Sequence, residues 1–510
     1  MSDKSANNKR IAKNTLLLYC RMFLTLIIGL YTSRVVLNTL GFSDYGIYNV
    51  VGGVVTMLTF LNVGMTGASQ RFISYELGKG EIKSLKIVFS NSILTHASIA
   101  FIALVIMETI GLWFLNYRMN IPHERMFAAN CVFQFSIATF GLSVLSVPFN
   151  SCIIAHERMG VYAYISIFEV MMKLVIAYAI MVSSFDKLIL YAILIFLVHF
   201  IVWLMYFIYC RKHFKECTTP LHFDKVLFKK MFAFAGWGCV GNMGFSLKDQ
   251  CSNIILNIFF GTTINAARGI ASQVNGIING FASNFTMAMN PQITKQYAAG
   301  NLEESRNLAF AGSKYAFFLL SLISIPFLIN ENYVLRLWLG KIPEYTDIFV
   351  YIILLSSLIY SLSHAISTAI LATGNIKWFQ ILLAIILLLE VPAAYTILKL
   401  GGKPHQALMP ALVTNFLSLI LRIVIIHRMH PQYYSISNYI IKIIFRSFLI
   451  FIIGYSISYY IHSFFTVNLL SVFITSLISV LITGFVIFVI GLDGNERHFI
   501  FKQMKQKLNK

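Results

Sequence analysis

The chain has 510 residues, 58% of them hydrophobic and 12% charged, with a formal net charge of +20. A water-soluble globular protein carries about 25% charged residues, so a soluble enzyme is excluded and lipid is the main solvent. The excess of Lys and Arg suits loops resting on anionic lipid headgroups; no nucleic-acid partner is expected.

Apolar runs long enough to cross about 30 Å of hydrocarbon recur from end to end. In chain order the predicted spans are 15–37, 47–70, 89–115, 127–150, 162–183, 188–210, 232–259, 266–290, 310–330, 347–371, 378–399, 406–427, 443–464 and 468–491. Connections are short; the longest polar one, 211–230, joins the first six spans to the rest. With the amino terminus cytoplasmic, inside segments hold roughly 25 Lys and Arg and outside loops roughly 8, a positive-inside bias. Both termini then lie inside. The basic start runs into a span with no small-residue cleavage site, so no removable signal is read there.

The first span already poses a question. YCRMFLTLIIGLYTSRVV, residues 19–36, carries Arg21 and Arg34, and an arginine near the bilayer centre costs roughly 2.5–3.5 kcal/mol on insertion scales. The two are separated by about 20 Å along the helix and roughly 140° around it, so they cannot share one site.

An internal repeat follows. LGFSDYGIYNVV at 40–51 resembles FGTTINAARGIA at 260–271, and ISYELGKGEIKSLKIVF at 73–89 parallels ITKQYAAGNLEESRNLAF at 293–310. The offset covers six spans, an even number, so both halves enter the membrane in the same direction. Parallel repeats are related by an axis along the membrane normal, with substrate between them. The expected fold is therefore all-α: about fourteen transmembrane helices, in two parallel six-helix bundles related by a pseudo-twofold axis, plus two C-terminal helices. Domains are assigned as 1–210 for the first bundle, 211–230 for a cytoplasmic linker and 231–427 for the second bundle. The remainder, 428–510, holds two extra helices and a basic tail.

Polar residues fall on single faces of particular spans. The eighth has Asn265, Arg268, Ser272, Asn275, Asn279, Ser283, Thr286 and Asn290 at steps of three or four, which is one helical face. The second, its repeat partner, has Asn49, Thr56, Thr59, Thr66 and Gln70; the seventh has Asn242, Ser246, Asp249, Asn253 and Asn257. Helix–helix bonding needs one or two such residues per helix; eight point to a wet cavity. Amides and hydroxyls both donate and accept, which suits a sugar. Arginine binds phosphate bidentately, which makes Arg21, Arg71 and Arg268 candidates for that role.

Substrate contacts are expected from Arg21, Arg71, Arg268, Asn49, Thr59, Asn242, Asn253, Asn275, Asn279 and Thr286. Intramembrane acids are candidate proton or cation relays; these are Asp249, Glu390 before Pro392, and Glu169, which stands four residues before Lys173 and pairs with it. His96, His199 and His364 read as structural. Proton or sodium coupling is possible, and no cofactor or metal is expected. The seven cysteines, Cys20, Cys131, Cys152, Cys210, Cys217, Cys239 and Cys251, show no metal-site spacing and read as filler thiols.

The opening KNTLLLYCRMFLTLIIGLYTSRVVLNTLGFSDYGIYNVV, then GASQRFISYELGKG and MNPQITKQYAAGN, resemble the polysaccharide transporter branch of the multidrug/oligosaccharidyl-lipid/polysaccharide exporter superfamily. Within it the likeness is to O-antigen and capsular repeat-unit flippases, from the first through the twelfth span. The resemblance implies two bundles around a central cavity, alternating between inward-open and outward-open states in a bacterial inner membrane. It also implies the cargo, an undecaprenyl-diphosphate-linked oligosaccharide moved outward. Cavity arginines of related lipid-linked precursor flippases would map onto Arg21, Arg71 and Arg268, and spans 13 and 14 would guide the lipid tail. Implied partners are this substrate, membrane lipids, and a polysaccharide polymerase with its chain-length machinery. Rivals are a cation-coupled multidrug exporter, which favours an acid in the first helix where this chain has two arginines, and a lipid II flippase. A membrane glycosyltransferase or polymerase would need exposed acid pairs or a large extramembrane loop; no Asp-x-Asp stretch exists here and the outside loops are short.

Overall fold

A computed structural model describes residues 2–498 apart from 57, 119–120, 219–221, 261, 340–341 and 495. The basic tail beyond residue 498 lies outside the described residues, as do the side chains of Arg34, Asn49, Thr56, Thr59, Asn257 and Asn265. The elements are α1 Ser2–Thr56, α2 Thr59–Lys79, α3 Ile82–Ile106, α4 Leu112–Arg118, α5 Met126–Ala155, α6 Met159–Val182, α7 Lys187–His213, α8 Lys225–Phe260 and α9 Thr262–Ala298. There follow α10 Leu302–Ile329, α11 Glu331–Leu339, α12 Thr346–Thr373, α13 Lys377–Leu388, α14 Glu390–Lys399, α15 Pro410–Met429, α16 Ile436–Tyr439, α17 Arg446–His462 and α18 Leu469–Val486. There is no strand among the described residues. This is a multi-pass, all-α membrane protein.

Ten helical segments among the described residues are long and apolar enough to cross a membrane. They match predicted spans three to six and nine to fourteen. The other four predicted spans lie in α1, α2, α8 and α9, the first and second helices of each half. Three of the four carry the polar stripes, and they are repeat partners. Gly41, at φ +76, breaks α1 between its first and second predicted spans. Gly80 ends α2 at φ +77, and Gly300 follows α9 at φ +81. The two lie at matching points of the repeat, where a left-handed residue closes a helix and only glycine adopts it without a steric penalty.

The chain forms two compact units that do not follow its halves. Unit 1 is Met1–Met243 with Ala288–Asn301 and Ala372–Ile381; unit 2 is Gly244–Met287, Leu302–Leu371 and Leu382–Lys510. In unit 1, α5 packs on α1, α2, α3 and α7. One core there gathers Ile73, Phe89, Phe149, Cys152, Cys210 and Cys217. In unit 2, α17 and α18 pack on α10. The seam is a hydroxyl stripe on α18, Ser471, Thr475, Ser479 and Thr483, all buried. Thr475 donates to Asn330 Oδ1 at 3.1 Å. Small hydroxyl residues allow close approach in the absence of a hydrophobic force between helices in lipid, which anchors the two helices that lack a repeat counterpart.

Candidate functional site

Arg71 sits two turns from the end of α2. Its Nη2 donates to the Ala372 carbonyl oxygen at 3.0 Å, and the guanidinium lies 4.6 Å from the Phe72 ring centre and 4.7 Å from that of Tyr75. The last carbonyls of a helix lack intrahelical donors and carry the negative end of its dipole. The C-terminus of α12 therefore receives the arginine. Gly374 follows at φ +81, and a Cβ there would come within 2.7 Å of Arg71 Nη2. Both the backbone conformation and the close approach require glycine.

A second contact stands at the repeat-related place. Glu157, in the turn between α5 and α6, has φ 61. Its Oε1 accepts from Gln292 Nε2 and Lys295 Nζ of α9, each at 2.7 Å. Helix α9 comes close because Gly78 lacks a side chain: a Cβ there would lie 2.6 Å from the Lys295 carbonyl oxygen. Helices α2 and α9 are repeat partners, as are α5 and α12. In each contact a basic residue near the end of one meets the turn after the other, and the contacting residues, Arg71 with Ala372 and Glu157 with Gln292 and Lys295, belong to unit 1. One version uses a backbone carbonyl as acceptor and the other a buried carboxylate.

Elsewhere in unit 1, Arg21 donates to the Tyr162 hydroxyl at 2.9 Å and lies over its ring. Glu169 takes Lys173 at 2.6 Å, as the four-residue spacing predicts, and His199 stands 3.7 Å away. Lys173 and His199 line a pocket of about 380 Å³ with Tyr48, Asn62, Ser143 and Tyr191. Asn242 bonds the Gly238 carbonyl of its own helix at 2.8 Å.

Unit 2 holds the other predicted residues. Arg268 is buried; it donates to Asp249 Oδ1 at 2.7 Å and to Asn253 Oδ1. The Asp249 side chain is 58% exposed, so this ion pair has one dry and one open end. Glu390 lies where α13 gives way to α14; it accepts from Lys248 at 2.8 Å, with Ser252 and Thr414 at 3.4 Å. Asn275 and Asn279 share the Ser357 hydroxyl of α12 at 2.6 and 3.1 Å, a bond between helices. Thr286 is buried and donates to the Ala282 carbonyl at 3.1 Å. Ser272 and Ser283, from the same stripe, are exposed.

Sequence reading missed Glu157, Gln292 and Lys295, which stand at span ends and look like ordinary loop polarity. It also missed Arg422, buried in α15 at 2% exposure, donating to the Ser367 hydroxyl at 2.7 Å and lying over the Tyr360 ring. An arginine well inside an apolar run was the signal that could have found it. Some of the thiols, read as filler, gather in one place. Cys152, Cys210 and Cys217, from α5, α7 and the turn after α7, come together beside His156 and Glu216.

A family model described as a polysaccharide biosynthesis protein matches residues 11–297, and the MatE model matches residues 239–396. None of the curated proteins matches the chain. Among solved structures, a MATE transporter in the straight conformation aligns at TM-score 0.69 with 14% identity, over 83% of this chain and 96% of that one. An outward-facing multidrug resistance MATE family transporter of the MOP superfamily aligns at 0.70 with 12% identity, over 83% and 95%. The MATE transporter ClbM in complex with Rb+ aligns at 0.68 with 14% identity, over 81% and 94%. The first of these family matches spans more than half the chain and takes in α1, α2 and α9, so the chain belongs to the polysaccharide biosynthesis protein family, and its fold is that of the MATE transporters.

Proposed function

We propose that the protein is a flippase that carries an undecaprenyl-diphosphate-linked oligosaccharide, an O-antigen or capsular repeat unit, from the cytoplasmic to the periplasmic leaflet of a bacterial inner membrane. The observation that carries this reading is the polysaccharide biosynthesis match across residues 11–297. The amide and hydroxyl stripes support it, since an unpartnered sugar hydroxyl in hydrocarbon costs on the order of several kcal/mol.

Arg268 and Asp249 give the reading a mechanism. The guanidinium is already engaged by Asp249 and Asn253, so a diphosphate must displace the carboxylate to bind. A proton or a sodium ion on the exposed side of Asp249 neutralises it and frees the fork. Loading of the substrate and occupancy of Asp249 thereby become linked. Alternation between states is then the rigid-body movement expected of repeat transporters.

The test is reconstitution into liposomes with a tagged polyprenyl-diphosphate oligosaccharide, followed by attack on the exposed sugar with membrane-impermeant periodate. Protein-dependent loss of protected sugar supports the reading. Efflux of cationic dyes by the same vesicles, with the lipid-linked sugar left in place, would assign the protein to multidrug export instead.

A further inference from the structure

We propose that Cys152, His156, Glu216 and Cys217 form a binding site for a zinc-class divalent metal at one end of the first bundle. Cys152 and His156 stand one turn apart at the end of α5, and Glu216 and Cys217 lie in the turn that follows α7. The structure brings one ligand atom from each of Cys152, His156 and Glu216 within 4.8 Å of one another. Cys152 Sγ is 3.3 Å from Glu216 Oε1 and 4.0 Å from Cys217 Sγ, and His156 Nε2 is 2.6 Å from the same carboxylate oxygen.

The separations around Cys152 fit a tetrahedral ion, and the Cys217 thiol has to swing in toward the imidazole and carboxylate to complete it. Zinc–ligand bonds of about 2.3 Å to sulfur and about 2.1 Å to oxygen or nitrogen place two thiolates about 3.8 Å apart, and a thiolate about 3.6 Å from a carboxylate oxygen. The imidazole and carboxylate, which now share a hydrogen bond, need to part by about 0.8 Å. Two thiolates with an imidazole select a zinc-like ion over magnesium or calcium. The surroundings are built to hold the ligands: Cys152, Glu216 and Cys217 are buried. The His156 ring stacks on Phe214 with centres 4.2 Å apart. Cys210 Sγ, beside the cluster, donates to the Phe149 carbonyl at 3.5 Å.

The ion would staple the start of the segment joining the two halves onto the end of α5. It would also fix the turn that carries Glu157, the residue next to His156 and the partner of Lys295.

Full-length protein purified in detergent from zinc-supplied cells should retain about one zinc per chain, the stoichiometry of a single closed site. Exchange with cobalt(II) should produce a thiolate-to-cobalt charge-transfer band. Cys152→Ser and Cys217→Ser should each weaken retention by at least about tenfold, while Cys20→Ser and Cys131→Ser keep it. His156→Ala, which alters a partly exposed ring, should lose the ion yet remain monodisperse, so a folding defect in a cysteine variant does not decide the matter. Wild-type protein that holds no zinc and gives no cobalt band overturns the proposal. So does retention that is unchanged in both Cys152→Ser and His156→Ala, which would place the metal elsewhere.

Discussion

Lys295 Nζ on α9 lies 2.7 Å from Glu157 Oε1 in the turn after α5, and Arg71 Nη2 on α2 lies 3.0 Å from the Ala372 carbonyl near the end of α12. The repeat has placed a basic side chain against the same turn twice, with different acceptors. The carboxylate of Glu157 is 2% exposed, so this partner is the harder one to lose. Glu157→Ala should cost about 1–3 kcal/mol, because it strands a partly buried ammonium and an amide. A double-mutant cycle with Lys295→Ala, read from thermal unfolding in detergent, checks it; strictly additive effects would show that the pair is not coupled.

Gly374 tests the other contact. A side chain there meets a left-handed backbone, a cost of about 1–2 kcal/mol for an ordinary residue, and also displaces Arg71. Gly374→Ala should lower the melting temperature more than Arg71→Ala does, and should leave the Arg71→Ala background less affected than wild type. Wild-type melting of Gly374→Ala would remove the close approach from the account.

Arg268→Ala should leave the protein in the membrane while lipid-linked repeat units accumulate on the inner leaflet. Asp249→Asn should free the guanidinium and abolish the response of transport to an imposed pH gradient. Periodate accessibility in vesicles with and without the gradient measures both. A normal pH response in Asp249→Asn would end its relay role, and wild-type translocation by Arg268→Ala would remove that arginine from the mechanism.

The Lys248–Glu390 pair is dry, with side chains 12% and 4% exposed. Breaking it from one side leaves an uncompensated charge at about 3–5 kcal/mol. Lys248→Met alone should therefore aggregate or melt early. Lys248→Met with Glu390→Gln should recover most of the loss, because the amide oxygen accepts from one of the Ser252 and Thr414 hydroxyls and the amide nitrogen donates to the other. Expression and melting temperature of the single and double variants decide; no recovery in the double would mean the pair is needed for more than charge balance.

Arg125 joins two acids at the opposite ends of the helices: Nε donates to Asp44 at 2.9 Å, and the guanidinium also binds Asp186, which caps α7. Partial burial alone would raise the Asp186 carboxyl, but the Arg125 bond and the Leu188 and Ile189 amides outweigh it and hold the group below the ordinary aspartate value of 3.8. A depressed acid stabilises the fold above its unfolded value, and that contribution fades as pH falls through the folded one. Melting temperature should therefore drop as pH is lowered past the ordinary aspartate range, and Arg125→Gln should flatten that part of the curve. An unchanged acid limb in Arg125→Gln would locate the titration elsewhere.

The membrane-spanning helices were legible because each is a local property: an apolar run of sufficient length forms its own hydrogen bonds wherever it packs. Arg268 stood out because it is the one charge on the polar stripe of α9, at helical spacing. Its partners Asp249 and Asn253 were visible as a stripe on α8, but not as its partners. The carbonyl that receives Arg71 could not be seen, since every residue has one. Glu157 and Lys295 each looked like loop charge, and the thiols of Cys152 and Cys217 looked like filler because spacing along the chain does not report which helix ends meet.

Composition, periodicity and self-similarity determined that this chain lives in lipid, that it repeats itself in parallel, and which helices carry polar faces. Each follows from short-range chemistry, namely the cost of exposing polar backbone and side chains to hydrocarbon. Packing decided which charge answers which: that Arg268 is bound to a carboxylate, that Asn275 and Asn279 spend their amides on Ser357, and that thiols from distant helices meet an imidazole and a glutamate. Those pairings join residues on different helices, and only the packing of the helices brings them together.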